Sequence, residues 1–223
     1  MAVEAIEKLI EELKLETLER ACGGLELLEL DSLTPFAGQA LSGRERARLE
    51  SLGERRQRSF LGSRIALKRL ARALGARGEV RELETLAAGG IRPRCPVPVG
   101  HPARFATAAH DARFAVAAAA SRPLGIDVEP EGERALRVER LFLSPDERTR
   151  IAASPLGRPA ATLRAWCLKE SAAKALDVPL SEASRRTRLI RVEAGSCLAQ
   201  IDGQERRASC ASLDGHLFCL LVL

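Results

Sequence analysis

Apolar residues recur at helical spacing from the start of the chain, at Val3, Ile6, Leu9, Ile10, Leu13 and Leu18. That period predicts an amphipathic helix over 3–21, stopped by Gly23-Gly24. A strand is expected over 25–30, then a loop around Pro35 and Gly38. Helices are expected over 41–52 and 55–74, the second closing at Gly75. A short helix is predicted over 82–88, ended by Gly89-Gly90, and the proline-rich loop IRPRCPVPVGHP follows.

The pattern then changes. Stretches 105–109, 113–119 and 124–129 read as strands, with Ser121-Arg122-Pro123 turning between the last two. Ser144-Pro145-Asp146-Glu147 is a capping box with proline at the first helical position, so a helix starts there. A stronger helix is expected over 160–176, ending before Pro179, and from Arg188 onward four strand-like segments follow. Helices and strands mix within two blocks, 25–120 and 121–223, behind an N-terminal amphipathic extension over 1–24. The fold class is therefore α+β.

Composition narrows the class. With 223 residues and 46% apolar types the chain can bury a substantial core. No apolar run reaches the roughly 18–20 residues of a membrane span, and the acidic N-terminus is unlike a secretion signal. A cytoplasmic protein without a membrane partner is expected. The six cysteines are scattered with no CxxC pair, which predicts reduced, buried thiols.

The net charge of +5 is unevenly spread. Between Arg44 and Arg77 there are eleven basic residues against three glutamates. Such a block fits an anionic partner, although a solvated arginine-rich helix face reads the same way. Nucleic acid is a weak candidate, because aromatics make up only 3% of the chain and tyrosine is absent, leaving no stacking platform.

Three constellations carry chemistry. In GIDVEP, Asp127 and Glu129 alternate onto one face of a strand, where two carboxylates call for a cation or a proton. A hard divalent ion suits such oxygens; acids on an edge strand are the plainer explanation. In WCLKESAAK, Trp166, Glu170 and Lys174 share one helical stripe. Glu170 could complete a metal site or take a proton and Lys174 could hold a phosphate, or the two could form a simple ion pair beside a buried tryptophan. His110, after the run FATAA, could donate to a phosphate, act as a base, or merely cap a loop.

Together these pieces resemble the surfactin-synthetase type of 4′-phosphopantetheinyl transferase. GIDVEP and WCLKESAAK match its two main motifs, and RVERLFLSPDE resembles the segment between them. Upstream, LSGRERARLESL and RRQRSFLGSRIALKRL resemble its opening helices, IRP its G-K-P loop and TAAH its N-x-S-H strand end. The resemblance spans about residues 25–223. It implies two similar α+β halves packed as an intramolecular pseudo-dimer, with the active site at their interface. It also implies transfer of 4′-phosphopantetheine from coenzyme A to a serine of an apo acyl or peptidyl carrier protein, by a monomeric enzyme.

By the same resemblance Asp127, Glu129 and Glu170 are ligands of Mg2+, or Mn2+, and Glu170 and Lys174 are catalytic. Arg48, Arg92 and His110 hold coenzyme A phosphates, Pro93 and Thr107 line the nucleotide pocket, and Asp127 and Lys174 contact the pyrophosphate region. Ile91 replaces a family glycine, Ala109 a family serine and Ser63 another glycine. Ile91 and Ala109 keep open an alternative, an inactive carrier-protein-binding module of the same fold.

Overall fold

A computed structural model describes residues 3–14, 18, 21, 23–34, 36–87 and 93–223 and divides the chain into two units. One comprises Met1–Thr17 with Pro123–Leu223, the other Leu18–Arg122. The first ten elements in chain order include α1 (Val3–Lys14), β1 (Gly24–Glu29), α2 (Gly43–Glu50), α3 (Glu54–Ala73), β2 (Phe105–His110), β3 (Phe114–Ala120) and β4 (Leu124–Pro130), besides three short 3-10 turns. Then follow α4 (Arg134–Phe142), α5 (Pro145–Ala152), α6 (Arg158–Leu176), α7 (Leu180–Arg186), β5 (Thr187–Val192), β6 (Ser196–Ile201), β7 (Gln204–Leu213) and β8 (His216–Val222). Both units mix helix and strand, so the fold is α+β. Among the described residues no helix is long and apolar enough to cross a membrane.

In the Leu18–Arg122 unit, three antiparallel strands run in the order β1-β3-β2. The central strand, FAVAAAA, is buried throughout, and its small side chains leave room for α3 to lie close. Gly62 on α3 marks that closeness, since a Cβ there would sit 3.1 Å from Ala115 Cβ on the central strand.

In the other unit, five antiparallel strands run β4-β8-β7-β6-β5. The β6–β7 and β7–β8 hairpins turn at Asp202-Gly203 and Asp214-Gly215, all four residues at positive φ as primed turns require. Helix α6 packs on β4 and β8, and α1 packs on β7 with Leu9 and Leu13 buried. The N-terminal helix is thus part of this unit rather than a free extension.

Each unit contains the same buried charge lock. In the first, Ser42 caps α2 and its N–H donates to Glu45 Oε2 at 2.8 Å. Glu45 also accepts the Thr85 N–H at 2.8 Å and meets Lys68 Nζ at 2.8 Å, with both charged side chains sealed from solvent. In the second, Ser144 caps α5 and donates its N–H to Glu147 Oε2 at 2.7 Å. Glu147 accepts the Leu189 N–H at 2.8 Å and meets Lys169 Nζ at 2.9 Å, again buried. Each carboxylate ties a capped short helix to the lysine of a long helix and to a later backbone segment. Breaking such a buried pair strands a charge, at about 3–5 kcal/mol.

Three local expectations need correction. The 3–21 helix is described only to Lys14; Leu18 and Ala21 lie in a turn, and 15–17, 19, 20 and 22 lie outside the described residues. The 82–88 helix is absent over 83–87, where Leu86 bridges Pro93 instead. There the Thr85 and Leu86 N–H groups are taken by the carboxylates of Glu45 and Glu84, so no helical ladder forms. Helices α4 and α7 appear where no element was expected. The described cysteines, Cys95, Cys167, Cys197, Cys210 and Cys219, are free and buried, as predicted; Cys22 lies outside the described residues.

Burial acts to raise the Glu147 carboxyl, but the Leu189 and Ser144 N–H groups and Lys169 hold it below the usual carboxylate range; Lys68, Thr85 and Ser42 do the same for Glu45. A depressed native value gives stability that is present above the unfolded value of about 4.3 and lost as pH falls through the native one. Melting temperature should therefore drop on acidification from pH 5 to 3, and Glu147→Gln should flatten that slope. Equal slopes in thermal melts of the two proteins would remove the lock from the account of acid stability.

Candidate functional site

Strand β4 and helix α6 lie unusually close. A Cβ at Gly125 would sit 1.8 Å from Ser171 O and 2.7 Å from Ser171 C, both backbone atoms of α6. Only glycine allows this approach. Ser171 also donates its hydroxyl to Cys219 O on β8 at 2.8 Å, a second tie at the same level. With the two backbones touching, Asp127 and Glu129 on β4 face the stripe of Trp166, Glu170 and Lys174 on α6.

The contacts across this seam are specific. Lys174 Nζ donates to Asp127 Oδ1 and to Ile126 O, each at 2.8 Å. Trp166 Nε1–H donates to Glu129 Oε1 at 3.1 Å, and the Phe142 ring meets the indole edge-on, centroids 5.0 Å apart. Glu170 makes no hydrogen bond or ion pair among the described residues; with Lys174 and Asp177 it lines an open cleft of about 420 Å3. The simple i,i+4 pair of Glu170 with Lys174, the plainer of the two readings, does not form, because Asp127 takes the ammonium.

Three acids outnumber the cations beside them, Lys174 and, acting on Glu129, Arg134. Burial, then the charge of Asp127, pushes Glu129 upward against the opposing Trp166 hydrogen bond; the same two causes push Glu170 upward. Asp127 Oδ2 is buried with no hydrogen-bond partner among the described residues, and the weakly donating thiol of Cys167 lies against the Asp127 carboxylate. Burial and the Asp127 charge push that thiol well above its ordinary value, so it stays neutral. As they stand, no three His, Cys, Asp or Glu side chains among the described residues converge tightly enough to hold a metal. The donor chemistry still fits a hard divalent cation: a stranded carboxylate oxygen, an unengaged Glu170 and a surplus of negative charge.

A second concave site lies in the Leu18–Arg122 unit, a cleft of about 350 Å3. Arg48, Pro93 and His110, from three separate stretches, line it together with Arg56, Phe60 and Arg64. Arg64 lies over the Phe60 ring at 5.1 Å and donates to Thr85 O at 3.0 Å. Its Nε is buried without a partner, and burial lowers the guanidinium to about 10, which leaves it charged at neutral pH. Such a set suits phosphate.

Thr107 does not line this cleft. It is buried on the face of β2 opposite Ala108 and His110, as strand alternation requires. Arg92 lies outside the described residues. Arg56 and Arg64 were part of the basic block in the sequence, but nothing in their spacing singled them out from neighbours that pair elsewhere, such as Arg58 with Asp31.

Residues 123–217 match the model of the 4′-phosphopantetheinyl transferase superfamily. The match runs from the residue before β4 into β8 and includes Asp127, Glu129, Glu170 and Lys174. No curated protein sequence matches the chain.

Gly125→Ala forces β4 away from α6 at the point that holds the acids against Lys174. The expected loss of stability is about 3 kcal/mol or more, in the upper range of overpacking, and larger than for Gly43→Ala, where a Cβ meets nothing within 4 Å. Denaturant midpoints of the two variants measure this; equal midpoints would disprove the close approach.

Proposed function

We propose that this chain transfers the 4′-phosphopantetheine group of coenzyme A to a serine of an apo acyl or peptidyl carrier protein, releasing 3′,5′-ADP, as the surfactin-synthetase type of transferase does. The observation that carries the reading is the seam of β4 and α6. There Lys174 holds one Asp127 oxygen while the other is buried and unpartnered.

Asp127, Glu129 and Glu170 would hold Mg2+ or Mn2+. When bound, that ion neutralises the coenzyme A pyrophosphate and stabilises charge on the leaving group. The residues of the chain do the rest. Trp166 fixes the Glu129 carboxylate, so one ligand is oriented in advance. Glu170, free of other partners, takes the proton of the carrier serine as its oxygen attacks the phosphorus next to pantetheine. The bond from that phosphorus to the bridging oxygen breaks, and Lys174, only partly buried, supplies positive charge to the 5′-phosphate of the departing 3′,5′-ADP.

In the other unit, Arg48 and His110, joined by Arg56 and Arg64, would hold phosphate of the nucleotide, with Pro93 beside them. Arg92 would add to this set. The alternative of an inactive carrier-binding module drew partly on Ala109. That side chain is buried on the face of β2 away from His110, so a serine there would not reach this cleft.

Incubation with coenzyme A, magnesium and an apo carrier protein should add one phosphopantetheine mass to the carrier. Asp127→Ala and Glu170→Ala should abolish that gain in folded protein, and Lys174→Ala should cut kcat at least a hundredfold. Near-normal loading by any of them refutes its assigned role. Replacing Arg48 and Arg56 together by Gln should raise KM for coenzyme A at least tenfold with a smaller change in kcat. An unchanged KM would release the cleft from the nucleotide.

A further inference from the structure

A larger cavity, of about 540 Å3, lies where the end of α4 and the start of α5 meet α7 and β5. It shares no lining residue with the cleft of Glu170 and Lys174. Arg140, Arg185 and Arg188 line it, all three exposed and none engaged in an ion pair or hydrogen bond among the described residues. Three like charges around one hollow repel one another unless an anion joins them.

The contrast with their neighbour is instructive. Arg186, in the same stretch, is held by Glu182 at 3.2 Å and by Asp202 at 2.6 Å. The fold supplies acids where an arginine serves structure and withholds them around this cavity. Glu147, the carboxylate that reaches the lining, is already consumed by Lys169, Ser144 and Leu189.

The interior of the cavity gives a second, independent sign. Ser184 and Thr187 are among its lining residues, and the hydroxyl oxygen of each is buried in the wall without a hydrogen-bond partner. Thr187 is only 1% exposed, so its hydroxyl cannot turn to bulk water. Buried hydroxyls are ordinarily satisfied. Two unsatisfied hydroxyl donors beneath three arginine forks form a recognition set for a compact oxyanion with several acceptor oxygens. At the rim Leu141 is 81% exposed, an apolar surface against which an organic substituent could lie.

We propose that this cavity is a binding site for a phosphate group, either free or carried as the monoester of a small organic molecule. Arg140, Arg185 and Arg188 neutralise the dianion, and Ser184 and Thr187 donate to its innermost oxygens. The site does not depend on the transferase reading.

The test uses the full chain with Arg48 and Arg56 replaced by Gln, which weakens the other arginine-lined cleft. Titration calorimetry with inorganic phosphate should still register binding. Adding Arg185→Gln and Arg188→Gln should weaken it at least tenfold with an unchanged melting temperature, since both side chains are exposed. Thr187→Val, close in shape but without the hydroxyl, should weaken it about threefold. Glycerol 3-phosphate distinguishes the sources: tighter binding than phosphate, lost in Leu141→Ser, assigns an organic monoester, and equal binding assigns the free ion. Phosphate affinity unmoved by the Arg185 and Arg188 replacements, or no binding at all in the Arg48/Arg56 background, overturns the proposal.

Discussion

The chemistry of the C-terminal unit rests on a backbone-to-backbone contact. Gly125 lets β4 lie against Ser171 and Ala175 of α6 with no side chain between them. Any Cβ at that position overlaps a carbonyl oxygen, which unlike a flexible side chain cannot move aside. The contact sets the distance between strand and helix, and so decides whether acids on one can reach a lysine on the other. The hydroxyl of Ser171 on Cys219 O and the antiparallel pairing of β4 with β8 keep the seam from sliding.

With the seam fixed, the charges follow from which way each side chain of α6 points. Lys169 points into the interior and is used up by Glu147, so it cannot serve the acids on β4. Glu170, the next residue, emerges in a cleft, and Lys174, one turn on, reaches Asp127. Lys174, even with the charge of Arg134 acting on Glu129, leaves the three carboxylates under-neutralised. The excess appears as raised values for Glu129 and Glu170 and as a buried oxygen without a partner, and all three features call for one more positive charge. Catalytic sites are where a fold tolerates such imbalance, because a bound cation or substrate corrects it.

Much of this was legible in the sequence, for definite reasons. Asp127 and Glu129 share a face because strand side chains alternate, and Trp166, Glu170 and Lys174 share a stripe because helices repeat every 3.6 residues. The four strands expected from Arg188 onward are there as β5 to β8. Other features depend on contacts distant in sequence. Nothing local says that Glu45 would bind the Thr85 N–H and prevent a helix over 83–87. Helices α4 and α7 were missed because they run only nine and seven residues, windows too short for a helical period to stand out. Thr107 was assigned from its motif alone, whereas the parity of β2 turns it away from the cleft that His110 lines. Among the arginines of α3, the sequence offers no means to separate those paired with Asp31 or Glu26 from Arg56, which is left to the cleft.

The repeated lock shows what the two units hold in common and where they part. Ser42, Glu45 and Lys68 in one correspond to Ser144, Glu147 and Lys169 in the other, with nearly equal spacing and the same set of partners. The shared residues are buried and serve the scaffold: a capped short helix fastened to a long one. Around these positions the exposed chemistry has diverged. On α3 the partly exposed side chains are arginines that line a cleft suited to anions; on α6 they are a carboxylate and a lysine set against two more carboxylates. A buried ion pair is a poor source of net stability compared with apolar packing, so its occurrence in both units argues for another role. It fixes the rotation of each long helix about its axis: a Lys68 or Lys169 turned toward solvent would strand its glutamate. With the rotation fixed, Arg56, Phe60 and Arg64 on α3 and Glu170 and Lys174 on α6 are held to the clefts they line, and each unit can change those residues without disturbing how the helix is seated.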